Sequence, residues 1–165
     1  HPIAAVQTEY SAWTRNPEIA VLQACKDIGA TFVAFSPVAR GFLTDSPPDT
    51  AAFPPQDIRR GMPRFQPEHY ARNLKLLDGY AQIARDAGCS MAQLAIAWVL
   101  SRGEQVVALP GTTSIAHLQE DLGAAKLTLT PDVLQRLDAL INRDTVSGAR
   151  YNPATQAEVD TEEFA

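Results

Sequence analysis

Several features that would place this chain in a particular class of protein are missing from its sequence. Its two cysteines, Cys25 and Cys89, lack metal-binding spacing, which favours buried thiols in a reducing compartment such as the cytoplasm. It has no run of basic residues, and 19 acidic against 14 basic residues give a net charge of −5. This balance argues against nucleic acid or an anionic membrane surface as a partner. The longest apolar stretch, around residues 91–100, is too short to cross a bilayer.

The chain is long enough for one ordinary domain. Its 165 residues are 45% hydrophobic, which supplies a single core. The sequence starts on His1-Pro2, without an initiator methionine or a signal peptide, and enters a strand-like run at Ile3. Because domains seldom begin at the edge of a buried strand, we expect a fragment of a longer chain. Processing or a partial record of the sequence would leave the same start.

Apolar periodicity predicts an alternation of strands and helices. Strands are predicted over 3–10, 31–35 and 106–109, and helices over 17–28, 68–87, 90–101, 115–122 and 131–141. The first strand is mostly apolar, which predicts that both of its faces are covered. Strands separated by helices in this order pair in parallel.

About three parallel strands with covering helices predict an α/β fold that belongs to a larger sheet. Standing alone, such a sheet would leave both of its edge strands unpaired. No Gly-x-Gly-x-x-Gly follows any predicted strand, so the C-terminal portion of a (β/α)8 TIM barrel is favoured over a doubly wound sheet. In either fold, ligands bind at the carboxyl ends of the strands, which here are 7–10, 35–41 and 109–113.

Two segments fall outside the regular elements. Residues 36–67 form a long proline-rich loop, of the kind that serves as a lid or binding loop. It carries four arginines, which are either solvated surface residues or an anion clamp: Arg40, Arg59, Arg60 and Arg64. Residues 142–165 form a polar C-terminal tail.

The stretch from Val106 to Leu122 combines a short strand, a Pro110-Gly111 break and a helix that begins near Ile115. A helix N-terminus directs unpaired backbone N–H groups and a favourable dipole at an anion, and glycine lets the anion approach the backbone. The stretch therefore predicts a phosphate-binding turn. A turn between strand and helix without any ligand fits the same spacing.

Three ordered motifs resemble the later part of the aldo-keto reductases. They are Ala5-Val6-Gln7-Thr8-Glu9-Tyr10-Ser11, Phe35-Ser36-Pro37-Val38-Ala39-Arg40-Gly41, and Leu109-Pro110-Gly111-Thr112-Thr113 through Glu120-Asp121. The likeness runs from His1 to about Leu140 and is strongest to the bacterial branch that includes the potassium-channel β-subunits. The resemblance implies a (β/α)8 barrel, NADPH as cofactor, and reversible reduction of small aldehydes or ketones to alcohols. An oligomer is compatible with it.

The resemblance also implies roles for individual residues. Gln7 corresponds to a glutamine that bonds the nicotinamide carboxamide, and Phe35 to an aromatic that stacks on the nicotinamide ring. A strand glutamine bonded to backbone and a core phenylalanine are the alternatives. The segment that wraps the pyrophosphate is matched by Ser36, Pro37, Val38, Arg40 and Gly41. The adenosine and 2′-phosphate site is matched by Gly111, Thr113, His117, Glu120 and Asp121, with Arg60 or Arg64 from the loop as the phosphate fork.

Two departures from the family pattern concern the turn at Gly111. The family often carries Lys or Arg near this turn, and it often has Asn where Asp121 stands; a second carboxylate beside Glu120 disfavours a nearby phosphate. The catalytic Asp, Tyr, Lys and His of the family lie on strands that precede the part resembled here, so we assign no catalytic residue to this chain. We expect an NADPH-binding half that is inactive alone. The alternative is a non-catalytic nucleotide-binding or regulatory module of the channel β-subunit type.

Overall fold

The computed structural model describes residues 1–159 and 163–164. The polar-tail prediction at Asp160, Thr161, Glu162 and Ala165 lies outside the described residues. One sheet contains three strands in the order β1 (Ala5–Glu9), β2 (Thr31–Phe35) and β3 (Val106–Leu109). Both strand pairs are parallel, which confirms the predicted alternation.

Seven α-helices are found among the described residues. They are α1 (Val21–Ile28), α2 (Pro67–Leu74), α3 (Leu76–Asp86), α4 (Met91–Leu100), α5 (Ile115–Gly123), α6 (Pro131–Leu140) and the short α7 (Pro153–Gln156). Gly29 ends α1 in the left-handed conformation, with φ of 69°. Ser90 begins α4 with a capping box, in which its side chain and that of Gln93 each accept a hydrogen bond from the other residue's backbone N–H.

The single helix predicted over 68–87 is wrong, because the chain forms two helices that meet at Lys75. The side chain of Asn73 is fully buried near this break. It exchanges two hydrogen bonds with the backbone of Ser147, at 2.9 and 2.8 Å. These bonds hold the end of α2 against the C-terminal segment. Helix α3 begins two residues after α2 ends, at Leu76.

The prediction that the first strand is covered on both faces is also wrong. Residues at matched positions of parallel strands share a face, and Gln7 pairs with Val33, which pairs with Val107. Gln7 is exposed, and Val107 keeps 49% of its surface exposed. The buried residues Phe32 and Ala34 alternate with these positions, so the core lies on the opposite face of the sheet. We call the exposed side the open face.

Aromatic rings connect the loop 36–67 to the rest of the fold. The ring of Trp13, which follows β1, stacks on Phe42 at a centroid distance of 4.2 Å. Phe65 meets Trp13 edge-on and also packs on Phe53 and on Tyr70 of α2. We call the five rings of Trp13, Phe42, Phe53, Phe65 and Tyr70 the aromatic anchor of the loop. The helical segments found within residues 36–66 are short 3-10 turns.

None of the helices within residues 1–159 and 163–164 has the length and apolar character needed to cross a membrane.

Candidate functional site

A cavity of about 820 Å³ lies at the carboxyl ends of β2 and β3. Its walls come from the start of the loop 36–67, the middle of that loop, and the turn into α5. Nine of the residues predicted from the sequence line it: Phe35, Ser36, Val38, Arg40, Gly41, Gly111, His117, Glu120 and Asp121. Two of the three motifs, those that begin at Phe35 and at Leu109, therefore meet at one hollow, although about 70 residues of chain lie between them.

Five predicted residues do not line the cavity, and one of them, Arg60, donates instead to the carbonyl oxygen of Phe53 at 2.9 Å. Gln7 lies on the open face of β1, while Pro37 and Thr113 each adjoin lining residues in the chain. Arg64 points elsewhere. Its guanidinium donates to the carbonyl oxygens of Trp13 and Gly148 and to the Thr14 hydroxyl.

The start of the loop has an unusual backbone. Ser36, Ala39 and Arg40 have φ values of 53°, 53° and 56°, in the left-handed region, and Gly41 follows at 91°. Non-glycine residues rarely adopt this region, and clusters of them are typical of functional sites. Ala39, Arg40 and Gly41 are three consecutive residues with positive φ, and the N–H groups of Ala39 and Gly41 donate to the carbonyl oxygens of Ser36 and Val38, at 2.9 and 3.1 Å.

Arg40 connects this loop to the end of β1 through an ion pair. Its Nη2 donates to Oε2 of Glu9 at 2.8 Å, and Glu9 is 3% exposed. Arg150 and Tyr151 of the C-terminal segment also donate to Oε2 of Glu9, each at 3.3 Å. The Nε of Arg40 is buried and has no hydrogen-bond partner among the described residues. Arg40 therefore lines the cavity while its Nε, which is buried, remains unsatisfied among the described residues.

Arg59 is a lining residue that the sequence analysis named only as one of four loop arginines. Its guanidinium pairs with Asp57 at 2.7 Å, stacks over Phe53 at 4.1 Å, and donates to the carbonyl oxygen of Arg40 at 3.1 Å. The hydrogen bonds from Arg59 hold the pKa of Asp57 below its ordinary value of 3.8. In the sequence, the feature that could have distinguished Arg59 from the other loop arginines is its position two residues after Asp57.

The other end of the cavity is formed by the N-terminus of α5. Ser114 caps the helix by accepting from the N–H of His117 at 3.3 Å. A Cβ placed on Gly111 would meet no atom within 4 Å, so the backbone there is open to a ligand. Burial and the neighbouring Glu120 raise the pKa of Asp121 above its ordinary value of 3.8.

Comparison with known proteins gives consistent results. A family model described as "Aldo/keto reductase family" matches residues 1–142. The NADP(+) aldo-keto reductase yakc of Schizosaccharomyces pombe is 35% identical over 162 residues, which is 96% of this chain and 48% of the relative. The chain thus spans about half the length of the curated relative it matches.

Two solved structures with similar folds illustrate the match. The thermostable aldo-keto reductase Tm1743, solved with the inhibitor epalrestat, matches with a TM-score of 0.61 and 27% identity, over 85% of this chain and 40% of that one. The glycerol dehydrogenase AKR11B4 from Gluconobacter oxydans matches with a TM-score of 0.76 and 24% identity, over 93% and 46% respectively. The three parallel strands and their helices are therefore part of a (β/α)8 barrel.

Proposed function

Because this chain belongs to the aldo/keto reductase family, we propose that it is part of an NADP(H)-dependent oxidoreductase that interconverts small aldehydes or ketones and alcohols. In this proposal the chain supplies much of the cofactor cradle and no catalytic residue. The observation that carries the proposal is the meeting of two motifs, remote in sequence, at the 820 Å³ cavity: the segment from Phe35 to Gly41 and the turn from Leu109 into α5. Cavities of this size are typical of cofactor and small-molecule sites, and barrels place them at the carboxyl ends of their strands.

The residues around the cavity fit a dinucleotide. Phe35, at the end of β2, offers a ring for stacking on nicotinamide, and Gln7 offers an amide on the open face for the carboxamide. The segment that contains Ser36, Arg40 and Gly41 forms part of the cavity wall, where the guanidinium of Arg40 supplies positive charge for the pyrophosphate. When bound, NADPH would supply the hydride that reduces a carbonyl carbon.

The adenosine end has a mixed charge. Gly111 and the N-terminus of α5 favour a phosphate, and Arg59 is the guanidinium of the loop that lines this cavity together with Arg40. Glu120 and Asp121 are suited to accept hydrogen bonds from the adenine amino group or a ribose hydroxyl. We assign the 2′-phosphate to the region between the N-terminus of α5 and Arg59, in place of Arg64.

The tyrosines of this chain are committed to structural contacts. Tyr10 donates to Glu18, Tyr80 to the carbonyl oxygen of Met91, Tyr70 to that of Pro48, and Tyr151 to Glu9. None of the four lines the cavity. Burial raises the pKa values of Tyr10 and Tyr80, which opposes a role as proton donor at neutral pH. The proton for the carbonyl oxygen is therefore assigned to a residue outside these 165 positions.

Unpaired strand edges and exposed apolar side chains support the presence of further barrel strands beside this sheet. Among the described residues, β1 and β3 each pair on one side only, and the open face exposes Val107 and Leu109 by 49% and 47%. Ile115, Leu118 and Leu122 form an apolar stripe on α5 that is 48–77% exposed. Apolar faces of this kind are buried in a complete domain. The free thiols of Cys25 and Cys89 fit a reducing compartment, and we place the protein in the cytoplasm.

The proposal is tested by comparing the full-length protein with the isolated 165-residue chain. We expect aldehyde-dependent NADPH oxidation, measured with 4-nitrobenzaldehyde, in the full-length protein and none in the isolated chain. Steady turnover by the isolated chain would contradict the assignment of catalysis to other residues. NADPH binding without turnover in the full-length protein would contradict the oxidoreductase and indicate a regulatory module.

A further inference from the structure

A second hollow, which we call the basic pocket, lies between the segment after β1, the end of the loop 36–67 and the C-terminal segment. It has a volume of about 260 Å³. Arginines dominate its lining, at positions 15, 64, 143 and 150, and among the described lining residues Glu163 is the acidic one. Of its lining residues, Arg64 alone was predicted from the sequence to bind the cofactor, and the 820 Å³ cavity shares none of them.

Arg150 brings an incompletely satisfied charge into the basic pocket. It is only 6% exposed. Its Nε donates to Oε2 of Glu9 at 3.3 Å and its Nη2 donates to Tyr151. Its Nη1 is buried and has no hydrogen-bond partner among the described residues. A buried guanidinium nitrogen in this state is unfavourable unless it meets an acceptor.

Arg64 adds a second charge at the same place. Its hydrogen bonds go to the carbonyl oxygens of Trp13 and Gly148 and to the hydroxyl of Thr14, all of which are neutral groups. No carboxylate of the described residues lies within ion-pair distance of it. Burial lowers the pKa of Arg64 to about 10, which still leaves the guanidinium charged at neutral pH.

The surrounding carboxylates do not balance these charges. Glu9 accepts from Arg40 at 2.8 Å and from Arg150 at 3.3 Å, so one carboxylate serves two guanidinium groups while Arg64 has none. Removing charge from water without a counter-charge is costly, and a further anion in the pocket would relieve that cost.

The remaining two arginines of the pocket are already paired. Arg15 binds Glu18 and Asp138, both at 3.0 Å. Arg143 is 56% exposed at the rim and lies 3.6 Å from Asp144. Arg64 and Arg150 are thus the groups with capacity for another anion.

A carboxylate from the C-terminal segment lies in this pocket. Glu163 lines it and accepts hydrogen bonds from Asn16 at 3.3 Å and from Gln156 at 2.6 Å. Its charge favours the charged form of Arg64. Glu163 therefore contributes negative charge to the pocket, although neither oxygen is within ion-pair distance of the two buried arginines among the described contacts.

We propose that the basic pocket binds a small oxyanion, the carboxylate or phosphate group of a ligand, between Arg64 and Arg150, and that Glu163 competes with it. Guanidinium forks match the geometry of both groups. The volume of 260 Å³ restricts the ligand to a small metabolite anion. The basic pocket and the 820 Å³ cavity have no lining residue in common, so the proposal does not depend on NADP(H).

The test measures anion binding by the purified full-length protein without cofactor. Sodium phosphate and sodium malonate are titrated calorimetrically at constant ionic strength, with sodium chloride as the reference. Trp13 lines the pocket, so its fluorescence gives a second readout. Saturable binding of either anion is expected, and the tighter of the two identifies the class of ligand. Absence of saturable binding of both would overturn the proposal.

Variants separate this pocket from the phosphate-binding cavity. Glu163→Gln removes the competitor and is expected to strengthen anion binding about tenfold, which corresponds to the loss of one unfavourable charge contact. Glu158→Gln, an exposed tail position outside the pocket, is the matched control and should leave affinity unchanged. Equal affinity of wild type and Glu163→Gln would contradict the competition.

A second variant addresses the guanidinium fork. Arg64→Lys keeps the positive charge but loses the planar donors, and it is expected to weaken binding of the anion about tenfold. Should this variant fold poorly, the Glu163→Gln comparison decides alone, because Glu163 is a partly exposed residue of the tail. Unchanged affinity in a folded Arg64→Lys variant would assign the anion to another site.

Discussion

The carboxylate of Glu9 lies 2.8 Å from the guanidinium of Arg40. This contact joins the end of β1 to the left-handed segment after β2, and Arg150 brings the C-terminal segment to the same carboxylate. Three segments of the chain, remote in sequence, therefore depend on one buried charge. The Glu9 carboxylate therefore holds Arg40 in place in the wall of the 820 Å³ cavity.

Glu9→Gln keeps the shape of the side chain and removes its charge. Arg40 and Arg150 would then remain buried without a counter-charge, so we expect the free energy of unfolding to fall by about 3–5 kcal/mol. Urea denaturation of the full-length protein measures the change. Glu104→Gln, at an exposed position, is the control and should alter stability by less than about 0.5 kcal/mol. A Glu9→Gln loss as small as that of the control would show that the cluster contributes little.

Phe35→Ala removes the ring at the end of β2 that the proposed function assigns to nicotinamide stacking. Loss of the stacking contact is expected to raise the Kd for NADPH about three- to tenfold. Fluorescence titration with NADPH measures it. Phe35→Tyr retains the ring and should keep the wild-type affinity, and equal affinities for the Ala and Tyr variants would remove Phe35 from the site.

Gly41→Ala places a Cβ on a residue with φ of 91°. The nearest atom is 3.8 Å away, so the cost comes from the backbone and not from a clash. We expect about 1–2 kcal/mol of lost stability together with weaker NADPH binding, because the segment would leave its left-handed conformation. Gly29→Ala is the matched control, since Gly29 has φ of 69° and no neighbour within 4 Å. It should lower stability and leave NADPH affinity unchanged; a loss of affinity in both variants would instead indicate a general effect of destabilisation.

Asp57→Asn tests the pH dependence of the loop. The pKa of Asp57 is lower in the folded state than its ordinary value of 3.8, because Arg59 donates hydrogen bonds to the ionised form. The contribution of this carboxylate to stability is therefore present above roughly pH 4 and is lost as the pH falls through the folded-state pKa.

The expected difference between wild type and Asp57→Asn is about 0.5–1 kcal/mol at pH 7, and it should shrink toward zero below roughly pH 3. Denaturation curves at both pH values measure it. Asp27→Asn, at an exposed position without an arginine partner among the described residues, should show little difference at either pH. A difference for Asp57→Asn that persists in acid would exclude the ion pair with Arg59 as its cause.

Local patterns predicted the elements that are fixed by local interactions. The apolar run at 106–109, the Pro110-Gly111 break and the cap at Ser114 lie next to one another in the chain, and the structure has β3 and α5 where they predict them. Ser90 and Gly29 likewise mark the start of α4 and the end of α1 through contacts within a few residues.

Features set by contacts between distant residues were not predicted from the sequence. The break at Lys75 accompanies hydrogen bonds between Asn73 and Ser147, which are 74 residues apart. The choice of Arg59 over Arg64 as a cavity residue depends on where the loop folds back, which no periodicity describes. The exposure of β1 depends on how many strands lie beside it, and an apolar strand has the same pattern whether its second face is covered or open.

The aromatic anchor has a consequence for how fast the cavity can exchange its contents. Withdrawing the loop 36–67 from the cavity would separate the stacked pair Trp13–Phe42 and bring Phe65 into water. Each large ring loses about 1.5–3 kcal/mol when its burial is undone, so a full opening is a rare event. The aromatic anchor therefore resists opening of the loop, and under the proposed function we expect a bound nucleotide to be released slowly.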